Sequence, residues 1–162
     1  MFAQQEHHYT QFMYNKLLIN PAYAGAREVP SITALYRHQW LGFEGAPKSV
    51  LASFSTPFLS KRVGFGLTLS QYQIGLQSDF NASFAYSYKL ISTEDVAFRA
   101  GIMGSIRSHG ISFDDATPIK PGDPSLEDQT IRDVSGNFGL GLYSVFKDQF
   151  YVGFSVPRLY SN

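Results

Sequence analysis

The side chains of this sequence with the greatest potential for chemistry are its histidines, and none of them lies in a catalytic motif. His7 and His8 are adjacent near the N-terminus, His38 lies near a predicted strand end, and His109 has no nucleophile at a motif spacing. The sequence contains no Gly-x-Ser-x-Gly elbow, no phosphate-binding loop and no His-Glu-x-x-His zinc motif. We therefore expect no enzymatic activity, no cofactor and no metal site, and we interpret His7 and His8 as part of a solvated tail.

A second candidate is the long segment 109–133, which is rich in prolines and acidic residues. Carboxylates can bind Ca²⁺, but their spacing does not fit an EF-hand and prolines interrupt it, so a solvated acidic loop is the favoured interpretation. Long loops in compact domains are usually functional, which makes this loop a candidate partner-binding surface. Its acidic residues include Asp114, Asp115, Asp123, Glu127 and Asp128.

Four basic residues, Arg37, Lys89, Arg99 and Arg107, lie on predicted strand faces that otherwise carry mostly small residues. If these faces line the inside of a barrel, the four are luminal charges. Ion pairs within the barrel are the favoured interpretation. Pairs with acids of the N-terminal arm or of a bound protein are the alternative.

The segment from Gln11 to Gly25 does not alternate as the strands do. Asn20-Pro21 indicates a turn, because proline fixes its own φ and disfavours helical backbone at the residue before it. The segment is rich in apolar and aromatic side chains and has a single charge, Lys16, so it needs a surface to pack against. We expect an arm over one end of a β-sheet or a plug inside a barrel. Its key residues are Phe12, Tyr14, Asn15, Asn20, Pro21, Ala22, Tyr23 and Gly25.

From residue 31 onward, large apolar residues alternate with small or polar ones, as in strands whose successive side chains face opposite sides. Short turn signals separate these segments, which predicts an all-β antiparallel meander with very little helix. The predicted strands are Ser31–Trp40, Lys48–Thr56, Val63–Tyr72, Asp79–Leu90, Val96–Arg107, Val134–Phe146 and Phe150–Val156. Residues 1–25 then form an arm or plug and residues 26–162 the β domain.

Three features favour a transmembrane barrel over a soluble β-sandwich, which stays open as the alternative. The predicted strands exceed the usual length of about 5–6 residues and are long enough to cross a bilayer when tilted. The face opposite the apolar side chains is mostly Gly, Ser, Thr and Asn, and charged residues make up only 16% of the chain. Phenylalanine and tyrosine cluster near strand ends, as in the aromatic girdles of membrane barrels.

Composition sets further bounds on the function. The 162 residues suffice for one domain, and the formal net charge of +0 without a basic patch argues against a nucleic-acid partner. The chain has no cysteine and no apolar run long enough for a transmembrane helix. Seven strands leave two edges, which lipid does not tolerate, so either the pattern misses one strand or, as the favoured interpretation, the chain is part of a longer barrel. Phe2-Ala3-Gln4-Gln5 looks like the remnant of a cleaved signal peptide, with an ordinary intracellular start at Met1 as the alternative.

The most specific signature is a set of six segments: Tyr9–Asn15, Leu18–Gly25, Leu35–Trp40, Gly45–Lys48, Gly64–Leu67 and Tyr151–Pro157. In combination they resemble the PorP/SprF family of outer-membrane β-barrels, which is associated with type IX secretion and gliding motility. Asn-Pro-Ala alone is a weak signal, and it also resembles the arm of FadL-like transport barrels.

This resemblance implies a non-enzymatic protein of the outer membrane, reached after signal-peptide cleavage. Because members of the family are longer than this chain, it also implies that residues 26–162 are the N-terminal half of the barrel. It implies as partners a secreted surface protein (for example an adhesin) bound through its type IX C-terminal sorting domain, other type IX secretion components, and outer-membrane lipid. The alternative function is a FadL-like transport channel for a hydrophobic small molecule, with the arm as its gate.

Overall fold

A computed structural model describes residues 15–43, 45–111, 131–147 and 149–159. Seven antiparallel strands form one sheet in sequence order, which confirms the predicted meander. The strands are β1 (Ser31–His38), β2 (Lys48–Phe58), β3 (Val63–Ile74), β4 (Gln77–Ser92), β5 (Val96–Ile111), β6 (Ile131–Phe146) and β7 (Phe150–Val156). Within the described residues, helix is limited to two 3₁₀ turns, Lys16–Leu18 and Pro21–Tyr23, and no helix is long and apolar enough to cross a membrane.

Most strands extend beyond their predicted ends, whereas β1 is shorter. It ends at His38, and Trp40 has a φ of 52°, which a strand cannot continue. The prediction of a loop from His109 to Asp133 is wrong by three residues at each end, because paired residues continue to Ile111↔Ile131. Glycine and aspartate there are poor strand formers, and cross-strand pairing overrides their preference. The predicted contact acids, from Asp114 to Asp128, lie outside the described residues.

The sheet curls into a half-barrel with small polar side chains on its inner face and large apolar side chains on its outer face. Ser53, Thr68 and Ser87 are buried inside, whereas Ile32 is 78% exposed and Phe138 is 71% exposed. A soluble sandwich would bury those apolar side chains against a second sheet, and the described residues contain none. The arrangement fits an outer-membrane barrel, whose lipid-facing side is apolar.

The two ends of the half-barrel differ in their connections. At one end, which we call the short-turn end, tight connections link β2 to β3, β4 to β5 and β6 to β7, and the arm leads into β1. The opposite end carries the β1–β2 connection, the two-residue turn between β3 and β4, and residues 112–130 between β5 and β6.

Candidate functional site

A row of five small residues crosses the inner face of β3–β7 at a single level. Each is the direct cross-strand partner of the next: Gly64↔Ser87, Ser87↔Gly101, Gly101↔Gly141 and Gly141↔Ser155. We call this set the small-residue row. Because none of the five side chains is larger than a hydroxymethyl group, the row leaves room for another chain segment to cross the strands.

The arm, Asn15–Gly25 in the described part of the chain, fills that room with its backbone. A Cβ placed on Gly64 would lie 2.0 Å from the carbonyl oxygen of Ala24, and one on Gly101 would lie 2.4 Å from the nitrogen of Ala22. Side-chain carbons do not approach other atoms this closely, so these positions accept glycine alone while the arm is seated.

Hydrogen bonds anchor the C-terminal half of the arm to the inner face. The hydroxyl of Ser87 donates to the carbonyl oxygen of Ala24 at 2.6 Å, and the backbone N–H of Gly25 donates to Oγ of Ser55 at 2.8 Å. Gly25 has a φ of 65°, a conformation that glycine adopts without strain. Serines on the sheet therefore satisfy backbone groups that the arm leaves unpaired.

Asn20 anchors the middle of the arm and is 6% exposed. Its Oδ1 accepts from the backbone N–H of Ala22 at 2.9 Å, which caps the second 3₁₀ turn. Its Nδ2 donates to the carbonyl oxygen of Leu142 on β6 at 2.9 Å. A Cβ on Gly141 would lie 2.1 Å from Oδ1, so the sheet leaves space for this amide.

Asn20→Asp tests this bond, because the change keeps the capping oxygen and removes the donor to Leu142. At neutral pH we expect a loss of about 1–3 kcal/mol in unfolding free energy, since a carboxylate oxygen then faces a buried carbonyl oxygen. Protonation restores a donor, so the loss should shrink as the pH falls. Thermal unfolding of wild type and variant at pH 8 and pH 5 checks this. A difference in melting temperature between wild type and variant that is the same at both pH values would contradict it.

Apolar packing holds the N-terminal half of the described arm. Leu17 is 3% exposed and forms a buried cluster with Ala24 and Ala85 of β4. A Cβ on Gly66 would lie 2.7 Å from Leu17 Cδ1, so this second glycine of β3 also makes room for the arm.

Aromatic side chains hold the arm against β6 and β7. The ring of Tyr23 meets Tyr143 edge to face at a centroid distance of 5.4 Å. The ammonium group of Lys16, the one charge in the arm, lies 3.3 Å from the ring centroid of Tyr151. A cation over an aromatic face is attracted to its π electrons, so these contacts add to the anchoring.

A charge cluster of Glu28, Lys61, Lys89 and Arg99 lies near the short-turn end, just after the arm. Lys89 and Arg99 are direct cross-strand partners on β4 and β5. Glu28 Oε1 accepts a short hydrogen bond from Lys89, and its Oε2 pairs with Lys61 at 3.2 Å. Nη2 of Arg99 donates to the carbonyl oxygen of Lys61 at 3.0 Å. Glu28 therefore places a negative charge beside two facing cations that would otherwise repel.

The hydrogen bond from Lys89 holds the pKa of Glu28 below its ordinary value of 4.5; Lys61 adds to this shift and partial burial opposes it. A lowered carboxyl pKa in the folded state stabilises the fold above about pH 4.5, and this stabilisation is lost as the pH falls further. We expect the melting temperature to drop below pH 4.5 more steeply for wild type than for Glu28→Gln. Parallel curves for the two proteins between pH 7 and pH 3.5 would contradict this.

A second polar cluster lies on the inner face near the opposite end. Nε and Nη2 of Arg107 donate to Asp79 Oδ1 at 3.1 and 3.0 Å, and His109 Nδ1 lies 2.9 Å from the same oxygen. Arg37 is exposed on the edge strand β1. Of the four predicted luminal charges, Lys89 and Arg107 form ion pairs within the chain, and Arg99 bonds to a backbone carbonyl.

The structure brings together Asn20, Pro21, Ala22, Tyr23 and Gly25 on the inner face, with Asn15 buried beside them. Phe12 and Tyr14 lie outside the described residues. Sequence reasoning missed the glycines and serines of the small-residue row as site residues, as well as Glu28. Their shared level depends on strand register, which the local pattern does not reveal. Among the described residues, no group of three His, Asp or Glu side chains could hold a metal ion.

The comparisons with known proteins give one match. A family model described as "Type IX secretion system membrane protein PorP/SprF" covers residues 1–162. No curated protein and no solved structure matches the chain.

Proposed function

This chain belongs to the PorP/SprF family of type IX secretion system membrane proteins, and we propose that it anchors a secreted surface protein at the outer membrane. In this proposal the protein acts by binding and not by catalysis. Its cargo is an adhesin-like protein held through the C-terminal sorting domain, and other type IX secretion components and outer-membrane lipid are its further partners.

The arm seated across the small-residue row carries the proposal. Its backbone contacts β3, β4 and β5, and the side chain of Asn20 contacts β6 and reaches towards β7, where Nδ2 lies 3.5 Å from the Phe154 carbonyl oxygen. A transport channel needs a free path along its inner face, whereas an anchor does not. A tightly seated arm on the inner face therefore favours a closed binding protein over a channel.

The parts of the chain take different roles in this proposal. Residues 1–25 plug the lumen, and residues 26–162 form the first part of the barrel wall. The loop between β5 and β6, with Asp114, Asp115, Asp123, Glu127 and Asp128, meets the cargo at the cell exterior. That loop lies outside the described residues, and its role and the cleaved signal peptide stay predictions.

A native pull-down tests the proposal. The full-length protein is purified from outer membranes in mild detergent, and co-purifying proteins are identified by mass spectrometry. We expect a large secreted protein, released when its isolated C-terminal sorting domain is added in excess. A variant lacking residues 112–130 tests the role of the loop. It should lose the cargo, and its heat resistance should stay that of the folded barrel.

The same preparation separates the alternative function. A FadL-like transport channel would be recovered without cargo, with a lipid-like molecule bound, and would take up hydrophobic compounds. That result would overturn the anchor and make the arm a gate.

A further inference from the structure

We infer that the charge cluster at the short-turn end is a binding site for an acidic peptide segment, whose carboxylate is held by Lys61 and Arg99. The site lies on the inner face, away from lipid. It is separate from the loops at the opposite end that the proposed function assigns to the cargo. The inference therefore does not depend on the cargo proposal.

The first observation is an excess of positive charge. Glu28 is the one carboxylate among four ionisable side chains that bond to one another or face each other directly. The remaining members, Lys61, Lys89 and Arg99, leave two positive charges without a partner of opposite sign within the cluster. A second anion would relieve this excess.

The second observation is an unsatisfied donor. Arg99 is 3% exposed, and its Nη1 is buried with no hydrogen-bond partner. A buried charged donor without a partner costs free energy, so a group that accepts from it is favoured. A guanidinium group binds a carboxylate through a planar pair of donors, which matches the chemistry of an acidic side chain.

The third observation is a route of access. The pair between Lys61 and Glu28 lies at the surface, with side chains 57% and 41% exposed, and exposed ion pairs are weak. The pair between Lys89 and Glu28 is better protected, since the Lys89 side chain is 8% exposed. An incoming carboxylate can therefore replace Glu28 at Lys61 while Glu28 stays bound to Lys89. Contact with Arg99, which is 3% exposed, then requires the exposed Lys61 side chain to move aside.

Fluorescence anisotropy of a labelled tetraglutamate peptide with the full-length protein in mild detergent at low ionic strength tests the inference. We expect binding to the wild type that weakens about tenfold in Lys61→Gln and in Arg99→Lys, which keeps the charge but loses the planar donor pair. A labelled tetraglutamine peptide with an amidated C-terminus, which has no carboxylate, should not bind. Unlabelled inorganic phosphate, which offers the same oxyanion chemistry, should compete only weakly.

Lys147→Gln is the matched control, because Lys147 lies in a turn at the same end and is 70% exposed. This variant should bind the peptide as tightly as the wild type. Absence of binding to the wild type would overturn the inference. Equal weakening in Lys61→Gln and Lys147→Gln would also overturn it, because that result would indicate general electrostatic attraction. Strong displacement of the bound peptide by phosphate would overturn the peptide as occupant.

Discussion

Gly101→Ala should dislodge the arm from the inner face and open the barrel to ions. The added Cβ would lie 2.4 Å from the nitrogen and 2.6 Å from the Cα of Ala22, and 2.6 Å from the carbonyl carbon of Pro21. All three atoms are backbone, so no side-chain rotation relieves the clash. We expect a loss of about 2 kcal/mol or more in unfolding free energy if the arm stays seated, or release of the arm if it does not.

Gly104→Ala is the matched control in the same strand, β5, because a Cβ there meets no atom within 4 Å. Alanine in place of a strand glycine is otherwise mildly favourable, so the two variants should shift stability in opposite directions. Thermal unfolding, protease cleavage of residues 11–25 and conductance in planar bilayers measure the effects. Similar stability, cleavage and conductance in the two variants would show that the arm does not depend on the small-residue row.

Glu28→Gln should destabilise the short-turn end at neutral pH, because it removes the carboxylate of the charge cluster, which lies beside the facing cations Lys89 and Arg99. Breaking a buried ion pair costs about 3–5 kcal/mol, but Glu28 is partly exposed to solvent. We therefore expect about 1–3 kcal/mol, after allowing for screening by water. Glu28 also has a φ of 59°, which is unfavourable for a residue with a Cβ, so its ion pairs hold a strained backbone in place.

A second substitution shows whether repulsion is the cause. Adding Lys89→Gln to the Glu28→Gln variant removes one of the two facing cations, so the double variant should recover part of the lost stability. Glu94→Gln, an exposed site in the turn between β4 and β5, controls for the change in net charge and should have little effect. A double variant less stable than Glu28→Gln alone, or a Glu94→Gln variant with the same loss, would contradict the explanation.

Much of the fold could be read from the chain alone, because strand alternation is a local property. The pattern in residues 63–70 assigns Phe65 and Leu67 to one face and Gly66 and Thr68 to the other, and the structure has the same division. The number of strands and the apolar outer face follow from the same rule repeated along the chain, and the short turns between strands give their order. The turn at Asn20-Pro21 was equally visible, since proline restricts the backbone whatever surrounds it.

The position of the arm on the inner face was decided by tertiary structure. Gly64, Ser87, Gly101, Gly141 and Ser155 are far apart in sequence, and each alone reads as an ordinary small residue on an inner face. They form one row because the registers of four successive strand pairs bring them to the same level. Register depends on cross-strand pairing over the whole sheet. The same pairing sets Lys89 opposite Arg99 and explains the position of Glu28. The sequence by itself therefore determined which residues face inward, and the paired strands determined which of them meet.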